Sequence, residues 1–353
     1  MTTPLRILDT GVLTARRNLA LTAALAELHR TGATPDTLRF QDFHPAAIVG
    51  RHQSLAREVQ LDRCRDLNVA TARRMTGGGA IYMGPGLLGW ELIADRSRLP
   101  ARLDDIAKHL CTGLATGLRT LGIDAQFRPR NDIEVDGRKI SGTGGNVDGR
   151  TLVFQGTVLI DFDVTDMAAV LTLPTMKRDR KGIDALADRV TSLRRLLGQA
   201  PAREAVTAAV TRGLAGALTA TPHPGALMPF EQSAADQFYD AEIGTDAFVA
   251  GSDLAVQSST VSRQRSIPAG ILEVYIDMRS LSDPHINRIW IMGDFFVSPP
   301  RAIPDLEAAL TGVRACDAAA VAERFLAERP VQILGGSPAD LVALIKDAAE
   351  SKS

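Results

Sequence analysis

The sequence predicts an α+β protein in two parts, and three observations carry that expectation. Helical and β patterns mix through roughly the first 220 residues, as in a domain built round a sheet. A break follows at TPHPGALMPF (221–230), where three prolines and a glycine interrupt any regular element. Beyond it, two strand patterns precede three helical ones. The expected division is therefore residues 1–228 and residues 229–353, which agrees with a length greater than that of a typical single domain.

Each element has a local cause. Leu21, Leu25 and Leu28 recur at helical spacing, which predicts an amphipathic helix over about 15–30. AAIVG (46–50) is a short apolar run of strand type. Leu103, Ile106, Leu110, Leu114 and Leu118 form a stronger stripe, closed near Gly122, with Cys111 on it as a core cysteine. Asp136-Gly137 is a hairpin turn joining IEV to RKIS, and LVFQGTVLIDFDV (152–164) is a long β-branched strand. After the break, ILEVYIDM (271–278) and INRIWIMGDFF (286–296) pair as a hairpin. The last helix opens with the S-x-x-D capping box Ser337 to Asp340.

Composition narrows the function classes. With 45% hydrophobic and 23% charged residues the chain is ordinary for a soluble globular protein. Forty basic against 41 acidic residues leave a net charge of −1, so bulk charge predicts neither a nucleic-acid partner nor a membrane-surface one. Cys64, Cys111 and Cys316 are odd in number and widely spaced, without CxxC spacing, which fits a reducing compartment. The N-terminal apolar residues are interrupted by Asp9, Arg16 and Arg17, and no run of 18 apolar residues occurs. The expectation is a cytoplasmic protein and a monomer.

The chemistry must then be local, and two glycine stretches offer it. In RRMTGGGAIYMGPG (73–86), Gly77, Gly78 and Gly79 can adopt positive φ and aim successive N–H groups at one anion. Arg74 can add a charge-assisted, bidentate contact. The spacing is neither that of a P-loop nor that of a dinucleotide fingerprint. In NDIEVDGRKISGTGGN (131–146), Lys139 stands on the strand returning from the Asp136-Gly137 turn, where it can neutralise charge building on an attacked phosphorus.

These stretches resemble the lipoate–protein ligase family, within the wider group of biotin and lipoate protein ligases and octanoyltransferases. The resemblance runs over nearly the whole chain. It takes in IVGRHQSLAREVQLDRCRDLNVATARRMTGGGAIY (48–82), NDIEVDGRKISG (131–142), FQGTVLIDFDV (154–164) and KGIDALADRVTSL (181–193). IWIMGDFF (289–296), TGVRACDAAAV (311–321) and ILGGSPADLVALI (333–345) resemble the small accessory domain of the larger ligases.

The resemblance implies a biotin/lipoate ligase-like catalytic domain, with mixed sheets flanked by helices, over 1–228, and an α+β accessory domain over 229–353. It implies activation of lipoate by ATP and Mg²⁺ to lipoyl-adenylate, then transfer to a lysine of a lipoyl-carrier protein. Arg74, Gly77, Gly78, Gly79, Ala80, Ile81 and Tyr82 would hold ATP and the adenylate. Lys139 would touch the acyl carbonyl and the α-phosphate, and Lys181 would lie on a mobile loop near the adenylate. Asp132 would serve Mg²⁺ or the acceptor lysine. Arg51 and His52 would line the acyl pocket with Gly78, Lys139 and Gly142.

The chain departs from the pattern at Met83–Trp90, at Thr143–Asn146 and at Gln155, where polar groups expected round the ligand give way to glycine and apolar side chains. The departures favour a divergent ligase serving a dedicated carrier. Two alternatives stand beside it. One is an ATP-independent transferase taking octanoyl or lipoyl from acyl-carrier protein, which in covalent versions uses a cysteine thiolate; neither Cys64 nor Cys316 stands at an expected nucleophile position. The other is a lipoate-binding paralogue without turnover.

Overall fold

The computed structural model describes residues 3–172, 187–251, 260–268, 270–280 and 283–350. The N-terminal strands are β1 (Thr3–Leu13), β2 (Thr37–Phe43), β3 (Ala46–Val49), β4 (Ala70–Arg73), β5 (Ile81–Met83), β6 (Leu87–Asp95), β7 (Gln126–Arg128), β8 (Asp132–Val135), β9 (Arg138–Asp148), β10 (Thr151–Leu159) and β11 (Ala220–Pro224). Eight of them form one mixed sheet in the order β11-β1-β2-β6-β10-β9-β8-β7. In it β11, β1 and β2 run parallel, and every pair from β2 onward is antiparallel. A smaller sheet, β4-β3-β5, carries the first glycine stretch between β4 and β5. This mixed-sheet α+β architecture is the expected one.

The helices used below are α1 (Ala15–Arg30), α2 (Leu61–Asp66), α3 (Leu103–Arg119), α4 (Arg203–Ala217), α5 (Pro229–Phe238), α6 (Ala302–Leu310), α7 (Ala318–Ala327) and α8 (Pro338–Ala349). The periodicity-based expectations for α1 and α3 hold, and Cys111 is fully buried on α3. Asp136 and Gly137 both take positive φ, 49° and 73°, as a two-residue hairpin turn between β8 and β9 requires.

The face of α1 that meets the sheet buries Asn18 and Thr22 among its leucines and alanines. The reason lies beneath it. Arg39 of β2 and Glu91 of β6 stand opposite each other, both 0% exposed, with Nε and Oε1 2.6 Å apart. Thr22 Oγ1 donates to Glu91 Oε2 at 2.6 Å, while Arg39 Nη2 donates to the Asn18 carbonyl at 3.0 Å and to Gln41 Oε1 at 2.7 Å. These contacts engage every polar side-chain atom of the pair except Arg39 Nη1, which is buried without a partner, and a buried ion pair depends on such engagement.

Three expectations are corrected. Residues 152–164 are not one strand: β10 ends at Leu159 because the Ile160 and Asp161 N–H groups both turn to the Gly86 carbonyl, and Asp163 then caps a helix, Val164–Val170. The proline-rich break contains β11, an edge strand, which is where prolines missing a ladder donor are tolerated. The second strand of the hairpin stops at Gly293, and Asp294–Phe296 leave the ladder.

Residues after 228 also pack in two places. Helix α5 lies on α1, its Glu231 is paired with Arg6 at 2.7 Å, and Ile243 joins the first core. From Ile267 onward a second core forms round Leu272, Ile291, Leu306 and Leu344. It joins β12 (Thr260–Ile267), β13 (Gly270–Met278) and β14 (Ile286–Gly293) to α6, α7 and α8, the last with its Ser337–Asp340 capping box formed. No helix among the described residues is long and apolar enough to cross a membrane.

Replacing Glu91 by Ala strands Arg39 in the core and should cost about 3–5 kcal/mol of stability. Restoring an apolar pair, Arg39→Met with Glu91→Leu, should recover most of it. Urea midpoints at constant slope measure both, and a Glu91→Ala midpoint equal to wild type would refute the stabilising role of the buried pair.

Candidate active site

The first glycine stretch is a socket rather than an open cradle. Gly78 has φ +88°, and its N–H donates to the Phe295 carbonyl at 2.9 Å. A Cβ on Gly77 would overlap that carbonyl, and one on Gly78 would overlap the Phe296 ring. The same ring covers Gly144 on β9, so one aromatic side chain of the C-terminal part bridges both glycine stretches. The Gly293 N–H donates to the His52 carbonyl at 2.9 Å, and the His52 ring stacks on Phe295 with centroids 5.0 Å apart and planes 2° apart.

The two arginines brace this socket from behind. Arg74 is 5% exposed; its Nε and Nη2 donate to the Gly77 carbonyl at 3.0 and 2.6 Å, and Nη2 donates to the Gly79 carbonyl at 2.8 Å. Burial, with Arg73 nearby, pulls its pKa down to about 10, so it stays charged at neutral pH. Arg73 donates to the Gly50, Gln53 and Ala250 carbonyls at 2.9, 2.6 and 2.9 Å, tying residues 50–53 to 248–250. Arg51 sets its guanidinium over the Phe248 ring, 5.0 Å from the centroid, with Nη1 3.7 Å from Glu242 Oε1. Ala80 and Ile81 are half-buried, and Tyr82 is buried with its hydroxyl 3.2 Å from Asp166 Oδ2; burial, then Asp166, raises the phenol to about 12.

Lys139 stands on β9 with its backbone clamped by the segment 189–191: its N–H donates to the Arg189 carbonyl at 2.9 Å and its carbonyl accepts from the Thr191 N–H at 2.8 Å. Its Nζ pairs with Asp132 Oδ1 at 2.7 Å, and the side chain remains 39% exposed. A Cβ on Gly142 would lie 2.6 Å from that amine, so Gly142 is what lets Lys139 cross its own strand. Among the described residues no cluster of three His, Cys, Asp or Glu could hold a metal ion, and Asp132 is already engaged by Lys139. Lys181 lies outside the described residues.

Cys111 lies against β9, its Sγ 3.2 Å from Thr143 Oγ1, but it is fully buried. Cys64 on α2 and Cys111 on α3 are 2% and 0% exposed, and burial raises both, Cys111 to about 12. Cys316 is exposed, in the second core's Ala315–Asp317 turn.

Residues 14–215 match the Lipoyl protein ligase A/B catalytic domain. The chain belongs to that family. It is an enzyme of the lipoate ligase and octanoyltransferase group. One relative, Octanoyltransferase LipM of Symbiobacterium thermophilum, is 29% identical over 276 residues, 70% of this chain and 98% of that one. Lipoate-protein ligase LplJ of Bacillus subtilis is 28% identical over 165 residues, 45% of this chain and 47% of its own length. The fold is shared with P. falciparum LipL1 in complex with lipoate (TM-score 0.72, 16% identity, 98% of both chains). It is shared too with lipoate-protein ligase A bound with ATP (TM-score 0.61, 23% identity, 71% of this chain and 99% of that one).

In this lipoyl ligase family member the sequence motifs do meet, but through partners the motifs did not announce. Arg73, Phe295, Phe296 and the Gln155–Thr76 hydrogen bond (2.8 Å) were not singled out by pattern. The one available signal was the Gly293-Asp294 exit from a strand followed by two aromatic residues.

His52 ties the C-terminal part to the socket in its neutral form. Burial, then Arg51 and Arg73, lowers its pKa from 6.5 to about 3. The folded state thus binds fewer protons than the unfolded one between those values. Its stability is full above about pH 6.5 and falls as pH drops toward 3, by up to about 1.4 kcal/mol per pH unit. Urea unfolding at pH 7 and pH 5 should show a smaller acid loss for His52→Phe, which keeps a ring for the stack. An equal loss in both proteins contradicts this account.

Proposed function

We propose that this enzyme is an ATP-dependent lipoate–protein ligase. It joins the carboxylate of lipoate to the α-phosphate of ATP, releasing pyrophosphate, and passes the acyl group to a lysine amine on a lipoyl-carrier domain, releasing AMP. The observation that carries the reading is an accessible amine, Lys139 Nζ, fixed on a clamped strand in a site without an accessible thiol among the described residues. Bringing a carboxylate to a triphosphate joins two anions, and fixed positive charge is what that step requires. No nucleophile of the protein is needed, because the acceptor amine attacks the mixed anhydride directly.

In this reading Lys139 holds the carboxylate and α-phosphate oxygens, and Gly79 with the Ala80–Tyr82 run faces the nucleotide, while Gly77 and Gly78 stay packed against Phe295 and Phe296. Arg74 serves as the brace of that loop, and Arg51 and His52 position the C-terminal part instead of touching the acyl chain. Asp132 keeps the amine aimed between cycles. Mg²⁺ fits only as an ion carried in on the phosphates, since the described residues offer it no cage, and no step here passes through it. The catalytic part is taken to include residues 229–250, which pack on α1 and the first core, with the accessory part following.

A second reading, octanoyl transfer from an acyl-carrier protein, is favoured by the LipM relative, which aligns over 98% of its length. The two are separated by supplying lipoate with ATP, or octanoyl-carrier protein without it, together with a carrier domain. The ligase releases pyrophosphate and modifies the acceptor only in the first mixture; acceptor modification confined to the second overturns the proposal. Lys139→Ala should slow pyrophosphate release about 10²–10³-fold, and a near-normal rate would remove Lys139 from the chemistry.

A further inference from the structure

A second cation stands beside Lys139, and it is of a different kind. Pairing of β7, β8 and β9 sets Arg128, Asp132 and Gly142 in one row across three strands, and the Lys139 amine lies over Gly142. Directly paired residues share a face of the sheet, and strands about 4.8 Å apart put the backbone of residue 128 roughly 10 Å from that of Gly142. Arg128 reaches into this gap. Its Nη2 is 3.7 Å from Asp132 Oδ2 and its Nη1 3.5 Å from Glu134 Oε2, while Lys139 Nζ holds Asp132 Oδ1 at 2.7 Å. One carboxylate therefore separates the guanidinium from the amine.

Lysine is scarce throughout the chain. Of its 40 basic residues only Lys108, Lys139, Lys177, Lys181, Lys346 and Lys352 are lysines, and none occurs before position 108. Among the described residues Lys108 is exposed on α3, and Lys346 on α8 stands 3.9 Å from Glu350. The fixed cations described round the site, Arg51, Arg73, Arg74 and Arg128, are all arginines apart from Lys139.

The chemistry of the proposed reaction gives that choice a consequence. Any amine with a free lone pair can attack an acyl–phosphate anhydride: nitrogen bonds to the carbonyl carbon, the carbonyl C–O bond to phosphorus breaks, AMP leaves and the nitrogen gives a proton to water. A guanidinium stays charged at any working pH and offers no such lone pair. An ordinary lysine amine is neutral in about 10⁻³–10⁻⁴ of molecules near pH 7. Lys139 engages its N–H donors with Asp132 and, in the proposed reaction, with carboxylate and phosphate oxygens. A cation at position 128, exposed and 3.5–3.7 Å from its carboxylates, is held far less closely.

We propose that Arg128 is a specificity-determining residue, supplying positive charge beside Lys139 in a form that the acyl intermediate cannot modify. The carrier lysine then meets no competing amine among the described residues near the site. The inference rests on the ligase reading for the reactive intermediate and goes beyond it in assigning Arg128. Geometry suits a guanidinium as well, since its planar fork faces Asp132 and Glu134 together, whereas an ammonium is a single point charge.

The test is self-acylation of the full chain as wild type, Arg128→Lys and Arg128→Gln, without a carrier. Each is mixed with lipoate, Mg²⁺ and ATP, and separately with synthetic lipoyl-adenylate; intact mass and peptide mapping read the adduct. Strand β7 is the outermost of its sheet and Arg128 is exposed, so neither substitution touches the core. Arg128→Lys should gain an acyl group at position 128 at least about tenfold faster than at Lys108, because the amine is held beside the intermediate. Wild type and Arg128→Gln should gain none at that position. With a carrier domain added, Arg128→Lys should modify fewer carriers per pyrophosphate released than Arg128→Gln, which loses the charge but brings no amine. Acylation at position 128 no faster than at Lys108 overturns the assignment, as does wild type acylated on its own lysines as fast as Arg128→Lys is at position 128. If wild type releases no pyrophosphate from ATP, the ligase reading fails, and the arm with synthetic adenylate decides on Arg128 by itself.

Discussion

Close approach of backbone to backbone at side-chain-free positions is the constraint on which this molecule is arranged. Gly50 lies against the Gly78 carbonyl, Gly77 against the Phe295 carbonyl and Gly144 against the Phe296 ring, each too near for a Cβ. Two sheets and the C-terminal part converge there because nothing projects from those residues. The geometry turns carbonyls inward that water cannot reach, and buried carbonyls need donors. Arg73 and Arg74 supply them, which explains how two adjacent guanidinium groups remain 3% and 5% exposed. Their charge is tolerated because several backbone dipoles surround each one.

Regular patterns in the sequence carried local structure well. The leucine stripes of α1 and α3, the Asp136-Gly137 turn and the Ser337 capping box are all set by neighbours within a few residues, and they form where expected. What was not legible is set by distant residues. Pro222 and Pro224 look like breakers until β1 gives β11 an edge to lie on. The apolar run after Leu159 looks like more strand until Gly86 offers its carbonyl. The family motifs located Lys139 and the glycines, yet no spacing rule pairs residue 78 with residue 296. The site's closed form was therefore invisible in the sequence.

The same limit applies to Arg74. As a sequence feature, an arginine ahead of three glycines resembles an anion ligand. As a structural feature it answers a local need, because the turn it precedes presents the Gly77 and Gly79 carbonyls to it. Glycines that open N–H groups toward a ligand necessarily turn some carbonyls the other way, and the nearest cation satisfies them.

This divides labour between the two cations of the proposed site by their surroundings. Arg74 is buried with each of its interactions made to fixed backbone, so transferring it to a substrate would leave carbonyls unpaired, at about 1–3 kcal/mol each. Lys139 is paired with Asp132, the two side chains being 39% and 17% exposed. A pair so hydrated is worth only about 0–1 kcal/mol, so exchanging Asp132 for an incoming carboxylate or phosphate is nearly free. In the proposed reaction the rigid cation shapes the loop and the loosely held one is the cation that would meet the substrate. Asp132 then keeps Lys139 from collapsing elsewhere while adding almost nothing to the barrier against its release.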